Sequence, residues 1–338
     1  MDANTIAACL DVGSLFGESD DATASGPGQV NTPARQRNPS ATGSAVCNLG
    51  SGSGGNCTAV RVGGVTEDGR PLLLIDAGFG PRTTAQRLAQ AGHTLGDVAA
   101  VLLTHLDRDH FRPTWLTPLI GLGIAVYCDR WHAEELLRLP GATELRRAGL
   151  LRAIEAGGER FAIDLNGRRV RVATHRCQHD RQGTVAYRLD LPGGHRRRST
   201  AIGYATDLGH VPRGLVGLFA GVDLLCLEAN YDERMTIHSP RPSFVNRRNL
   251  SDSGHLSNEQ ALDAVRAVCD VCPAGGPTRV LLMHRSSQCN HPTKLRRVFA
   301  ADPSIARRVT LTDQRRRTRW FALSGRPAVM RCQLTLRA

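Results

Sequence analysis

Four short apolar runs in this chain each end in a cluster of histidine and aspartate, and that recurrence constrains the fold more than any other feature. "AAVLL" leads into "THLDRDH" at 104–110, "VRVA" into "THRCQHD" at 174–180, the run near 200 into "YATDLGH" at 204–210, and "RVLL" into "MHRSS" at 283–287. A short apolar run bounded by polar turn residues reads as a buried strand, and α/β folds place their chemistry outside the C-terminal ends of such strands. Histidine nitrogens and carboxylate oxygens gathered there are the donors expected of Zn²⁺, Mn²⁺ or Fe sites. A carboxylate shared between two ions can hold them roughly 3.5 to 4 Å apart. The pattern predicts a dinuclear site.

The intervening sequence supplies what such strands need. "TAVRVGG" and "PLLLIDAG" around "VTEDGR" read as a hairpin, "TTAQRLAQAG" as a short helix ending at Gly92, and "IAVYC" as a strand followed by the helix "WHAEELLRL". "FAIDLNGRRVRVATH" reads as a second hairpin, and "TVAYRLDL" with "STAIGYATD" as a strand pair joined by the basic turn "PGGHRRR". After the strand "VDLLCLEAN" comes a polar segment read as irregular. The helix "SNEQALDAVRAVCDVC" follows, opened by Ser257 with Gln260 in a capping-box relation. Short strands near 318–322 and 329–335 close the pattern. Two sets of strands, each with its own helices, predict an α/β (α+β) protein with a sheet-on-sheet core flanked by helices.

Residues 1–43 are rich in Ser, Gly, Pro, Asp, Thr and Asn and nearly without aromatics, so they cannot bury enough apolar surface to offset the entropy of ordering. They are expected to be a disordered tail, with 44–338 a single hydrolase-sized domain. The tail carries Asp2, Asp11, Glu18, Asp20 and Asp21 against Arg35 and Arg37, a net of −3, so of the chain's formal +12 the remainder holds +15. A positive surface attracts nucleic acid or anionic substrates. Lys294 is the only lysine, however, and an arginine-biased composition weakens that inference. No apolar run approaches the roughly 20 residues of a membrane span, and the ten cysteines are scattered apart from Cys269 and Cys272. A cytoplasmic protein with reduced thiols is expected. Cys269 and Cys272 lack a second pair at zinc-finger spacing and read as a helix-end coincidence.

"HLDRDH", preceded by "LLIDAG", resembles the His-x-His-x-Asp-His signature of the metallo-β-lactamase superfamily. "GSGSGGNCTAV", "CLEANYD", "LSDSGHLSNEQA" and "MHRSSQCNHP" resemble segments of its YycJ/WalJ-type branch, whose members are regarded as phosphodiesterases or DNA exonucleases. The resemblance covers roughly residues 45 to 300. It implies an αββα sandwich with two divalent ions, Zn or Mn foremost and Fe as an alternative. His105, the residue at 107 and His179 would hold one ion, Asp109, His110 and His284 the other, and Asp207 would bridge them. His179 is preferred over His175 because "HD" before "GTVAYRL" is the form that the branch shows. Position 107 departs from the signature: Asp107 stands where the family usually has histidine, and its oxygen donor shifts preference from zinc toward harder ions such as Mn²⁺.

The implied chemistry is hydrolysis by a metal-activated hydroxide, with Asp109 orienting the water and His255 stabilising the transition state or protonating the leaving group. Asp76 is read as orienting the motif rather than binding metal. Asn56, Ser286 and Asn290 are candidate substrate contacts, while Arg285 is a phosphate contact or a solvated surface arginine. The glycine-rich "GSGSGGNC" lacks the Gly-Lys-Ser/Thr ending of a nucleotide P-loop and reads as a tight strand connection. Aromatic residues, 4% of the chain, offer no visible stacking platform. The first reading is a metal-dependent phosphodiesterase or nuclease acting on nucleic acid. Two others stay open: hydrolysis of a small ester, lactone, thioester or cyclic phosphodiester, and a metal-binding protein with a site disabled by Asp107. No membrane contact is expected, and the sequence does not settle an oligomeric state.

Overall fold

The computed structural model describes residues 43–63, 71–158, 160–165, 167–179, 181–193, 199–272 and 276–323. The chain divides into two units, 1–39 and 40–338, and every described residue belongs to the second. All but the last residue of the tail expected over 1–43, the strand near 329–335, the turn at 64–70 and most of "PGGHRRR" lie outside the described residues.

The first sheet runs in the order β14-β1-β2-β3-β4-β5-β6. Its strands are β1 (Ala45–Gly50), β2 (Cys57–Arg61), β3 (Leu72–Ile75), β4 (Val98–Leu102), β5 (Ala125–Asp129), β6 (Leu151–Ile154) and β14 (Phe321–Ala322). The second runs β13-β12-β11-β10-β9-β8-β7. It contains β7 (Arg160–Leu165), β8 (Arg168–Cys177), β9 (Thr184–Leu191), β10 (Thr200–Ala205), β11 (Leu224–Glu228), β12 (Arg279–Met283) and β13 (Val309–Leu311). The described helices are α1 (Pro81–Gln90), α2 (Leu116–Gly121), α3 (Arg130–Leu136), α4 (Thr143–Arg147), α5 (Arg213–Leu218), α6 (Glu233–Ile237), α7 (Ser243–Asn249), α8 (Asn258–Asp270), α9 (Pro292–Phe299) and α10 (Pro303–Ala306). Both expected hairpins and the β9–β10 pair form antiparallel ladders. Ser257 and Gln260 close the expected capping box on α8.

Side-chain alternation makes the layers. On β3, Leu73 and Ile75 point between the sheets while Leu72 and Leu74 face the helices; on β12, Leu281 and Met283 point inward and Val280 and Leu282 outward. Strands buried on both faces read as unbroken apolar runs, which is why "LLLI" and "VLLM" carry no polar residue. Leu88 of α1, Leu119 of α2 and Leu136 of α3 cover the first sheet; Leu215 of α5, Val265 of α8 and Phe299 of α9 cover the second. Each such leucine withdrawn from water contributes roughly 2 kcal/mol. The outcome is the αββα sandwich.

Three strands were not read from the sequence. β1 carries Asn48 inside it, and β6 and β13 are short strands with partly exposed positions. The polar segment after β11, expected to be irregular, folds into α6 and α7.

Candidate metal centre

The parallel neighbours β3 and β4 in one sheet, and β10, β11 and β12 in the other, end beside one another. Asp76 follows β3, Thr104 and His105 follow β4, Asp207 follows β10, Glu228 closes β11 and His284 follows β12. His179 comes from the β8–β9 connection and His255 from the segment entering α8. Asp76, Asp207 and His284 adopt positive φ, 62°, 57° and 51°. A left-handed backbone costs a non-glycine residue of order 1 to 3 kcal/mol, and such strain persists at sites that the surrounding structure fixes. Here it turns each side chain off a strand end toward the same point.

The 105–110 turn is pinned from behind. Asn56 donates its backbone N–H to the Asp109 carbonyl at 2.7 Å, and Gly78 passes so close that a Cβ on it would lie 1.7 Å from that oxygen. Asp76, fully buried, accepts hydrogen bonds from the Thr104 backbone N–H and hydroxyl, both at 2.9 Å, and faces His110 Nδ1 at 2.8 Å. His179 Nδ1 lies 3.0 Å from the Gly254 carbonyl. These contacts fix one nitrogen of each ring and turn the other inward, the usual support for a ligating imidazole.

Three overlapping groups of side chains bring donor atoms close enough to share an ion: His105, His179 and Asp207; Asp109, His110 and His284; and Asp207, Glu228, His255 and His284. Asp207 stands between them, 3.0 Å from His110 Nε2, 3.2 Å from His284 Nδ1 and 3.9 Å from His179 Nε2. His284 Nε2 reaches Asp109 at 3.1 Å. His105 Nε2 is buried with no hydrogen-bond partner, an arrangement that costs free energy unless something else satisfies the nitrogen. A divalent cation satisfies it, and the nitrogen–oxygen donor set suits one.

Electrostatics agree with that fit. Burial alone would lower the His110 imidazole, but the Asp207 and Asp76 carboxylates outweigh it and hold it well above the ordinary range. Burial would likewise lower His284, and Asp207, with the hydrogen bonds His284 donates to Asp109 and Glu228, instead raises it to about 10. Burial would raise Asp207, yet His284 and His110 hold it well below the usual carboxylate range. His105 is pushed well down, by burial first and then by the His110 charge. The pocket thus concentrates negative charge and calls for cations at its centre.

Residues 72–285 match the family described as "Beta-lactamase superfamily domain". The chain belongs to this superfamily. Among its relatives, "Exodeoxyribonuclease YycJ" of Bacillus anthracis is 27% identical over 66% of this chain and 75% of that protein. "Exodeoxyribonuclease WalJ" of Streptococcus pneumoniae is 25% identical over 76% of this chain and 89% of that protein. In fold, the chain is similar to Zn(2+)-bound PqqB from Methylobacterium extorquens, with TM-score 0.57 at 17% identity over 81% of this chain and 99% of that one. It is also similar to a diphosphatase from the PhnP family, with TM-score 0.51 at 16% identity over 83% and 98% of the two chains. The family, the fold and the ligand groups make this superfamily member a divalent-metal-dependent hydrolase.

Of the seven ligand positions expected from the sequence, the structure brings six together: His105, Asp109, His110, His179, Asp207 and His284. Asp107 stands at the rim, its side chain 51% exposed and 3.7 Å from His105 Nε2. His175, set aside in favour of His179, lies on β8 and borders Gly214. The expected substrate contacts lie in the loops around the ligands. Asn56 is buried, accepts from the Ser51 hydroxyl at 2.7 Å and the Gly52 N–H at 3.0 Å, and turns its amide toward Asp109 and His110. Ser286 accepts the Cys289 N–H, and Asn290 spends its amide on Ala229, Asn230 and Asn258. All three thus make hydrogen bonds within the loops that carry them. Arg285 is a surface residue only in part: its Nε is buried without a partner and its guanidinium lies 4.0 Å from Asp313.

Glu228 is the functional residue that the sequence reading missed. It is fully buried, 2.8 Å from His255 Nδ1 and 3.1 Å from His284 Nδ1, and accepts the Leu208 N–H at 2.8 Å. The signal was present: a carboxylate closing a fully buried apolar strand must have partners.

Proposed function

We propose that this protein is a nucleic-acid phosphodiesterase whose two-ion centre is built from His105, Asp107, His179 and Asp207 on one side and Asp109, His110, Asp207 and His284 on the other. The observation that carries the reading is the Asp207 carboxylate, which faces both histidine groups at once. The relatives named exodeoxyribonucleases and the positive charge of the chain support nucleic acid as the substrate.

Divalent ions held there would lower the pKa of a water and neutralise charge gathering on phosphoryl oxygens. The protein's own groups do the rest. Asp109, 22% exposed at its side chain and 3.1 Å from His284 Nε2, is placed to orient the attacking water and take its proton. His255 turns Nδ1 to the buried Glu228, and in its doubly protonated form, with the Nδ1–H held by that carboxylate, it can give its Nε2 proton to the leaving oxygen. Burial would raise Glu228, but His255 and the hydrogen bonds from His255 and His284 outweigh it and keep the carboxylate ionised as their anchor.

Elemental analysis of the purified protein, with hydrolysis of bis-p-nitrophenyl phosphate and of labelled DNA under Mn²⁺ or Zn²⁺, tests the reading. Close to two ions per chain and turnover abolished in Asp109→Ala are expected. One ion or none, with no turnover under any metal, would instead mark Asp107 as the sign of a disabled site.

A further inference from the structure

Beside the metal centre, the β8–β9 connection forms a cavity of about 340 Å³ lined by Arg176, Gln178, His179, Arg181 and Gln182. His179, a proposed ligand, is thus also part of its wall. Trp131, at the first turn of α3, stands next to this feature with its side chain open: the residue is 47% exposed, while Trp115 is fully buried. The Arg176 guanidinium lies 5.8 Å from the Trp131 ring centroid and that of Arg130 lies 5.7 Å from it, within cation–π range. Arg176 is itself held by the Gln182 carbonyl at 2.8 Å, and Arg130 is paired with Glu155 at 3.1 Å.

The backbone that carries the indole is fixed: Asp129 caps α3 by accepting the Trp131 backbone N–H at 2.9 Å, and the adjacent His132 is buried. Arg176 thus joins the Trp131 ring to the cavity whose wall His179 shares. An apolar role for Trp131 would bury it; here a large ring is left in water among guanidinium groups. A flat π-face with cations for phosphate beside it is the chemistry that recognises single-stranded nucleic acid, where each base offers a stacking face and each link a charge.

We propose that Trp131, with Arg176 and Arg181, is the binding subsite for a single strand entering the metal centre: a base one or more nucleotides from the scissile phosphate stacks on Trp131, and its phosphate sits between the arginines. The subsite deepens the phosphodiesterase reading and rests on it for its purpose, although strand binding itself can be measured without turnover.

The test uses the full-length protein, a fluorescently labelled deoxythymidine oligonucleotide for binding by anisotropy, and both that oligonucleotide and bis-p-nitrophenyl phosphate for turnover. Loss of one stacked base is expected to weaken oligonucleotide binding roughly tenfold or more in Trp131→Ala, with partial retention in Trp131→Phe. Arg181→Ala should weaken binding and flatten its salt dependence, because a phosphate contact releases counterions. Turnover of the small diester, too short to reach the platform, should stay at the wild-type level in both Trp131 variants. Oligonucleotide binding unchanged in Trp131→Ala would overturn the subsite, as would an equal loss of small-diester turnover in Trp131→Ala and Trp131→Phe, which would mark the indole as structural. If the wild type hydrolyses neither substrate yet binds the strand through Trp131, the subsite stands and the hydrolytic reading falls.

Discussion

Replacing Asp76 with asparagine isolates what the carboxylate beneath the metal centre does. Oδ1 of Asp76 accepts two hydrogen bonds from Thr104, and Oδ2 faces His110 Nδ1 at 2.8 Å. Asparagine has the same shape and tolerates the left-handed backbone at φ 62°. It can keep the Thr104 bonds through its oxygen, but it then presents an N–H₂ to His110 Nδ1. That donor favours the tautomer with hydrogen on Nε2, the nitrogen that must be bare to hold a cation. Disturbing such an orienting partner typically costs about 10- to 100-fold in metal affinity, or about 1.4 to 2.8 kcal/mol. We expect Asp76→Asn to fold with an unchanged circular dichroism spectrum, to lose metal in chelator competition by that factor, and to lose activity in proportion at limiting metal. Asp76→Ala is the contrast: it strands the Thr104 donors in the core at roughly 1 to 3 kcal/mol each and should lower the thermal midpoint of the metal-free protein. An Asn variant that binds metal within twofold of the wild type would show that Asp76 braces the loop without setting the His110 tautomer.

Other residues give sharper comparisons. Asp107→His should shift ion preference toward zinc in competition loading; identical selectivity would count against coordination by Asp107. His255→Ala should slow diesters with alkoxide leaving groups by about 10²- to 10⁴-fold, the usual contribution of a positioned acid, and p-nitrophenyl esters far less; equal losses on both would remove His255 from leaving-group protonation. His132 is lowered, chiefly by burial, so its folded pKa lies below its unfolded one and the unfolded chain takes the proton more readily. Its contribution to stability is thus present at neutral pH and lost as pH falls through about 6.5. Urea unfolding of metal-free protein at pH 7.5 and 5.5 should show a smaller decline in His132→Gln than in the wild type, and declines of equal size would refute this assignment.

The strands that carry ligands were legible because burial on both faces writes itself as an unbroken apolar run, and a histidine or aspartate directly behind such a run stands out. Asp207 and His284 were found that way. Direction was not legible. Asn56, Ser286 and Asn290 sit in the right segments, yet their amides and hydroxyl turn into the loops, because backbone N–H and C=O groups there need partners and the sequence does not say which polar atom serves them. Glu228 was hidden for the opposite reason: it looks like the end of a strand until its partners His255 and His284, 27 and 56 residues away, are folded onto it. Trp131 was passed over because low aromatic content says nothing about where one exposed ring stands. The polar segment after β11 reads as irregular because Pro240 and Pro242 break any helical period, and each short helix there is too brief to show one.

The same geometry predicts a proton-for-metal exchange. In the metal-free protein, His110 faces the Asp76 carboxylate through Nδ1 and the Asp207 carboxylate through Nε2, at 2.8 and 3.0 Å, and a doubly protonated imidazole satisfies both. The Asn56 amide nitrogen opposes this, since it also lies 3.0 Å from Nε2 and would donate to a bare nitrogen. Two carboxylates outweigh one amide dipole, and with His110 and His284 both held above the ordinary histidine range, each must release a proton before its nitrogen can take a cation. Metal affinity should therefore rise with pH across 6 to 8, roughly tenfold per unit for each proton released, and calorimetry in buffers of different ionisation enthalpy should count those protons directly. An affinity flat over this range, with no proton released, would mean that Asn56 prevails at Nε2 and that the metal-free site keeps its imidazoles neutral.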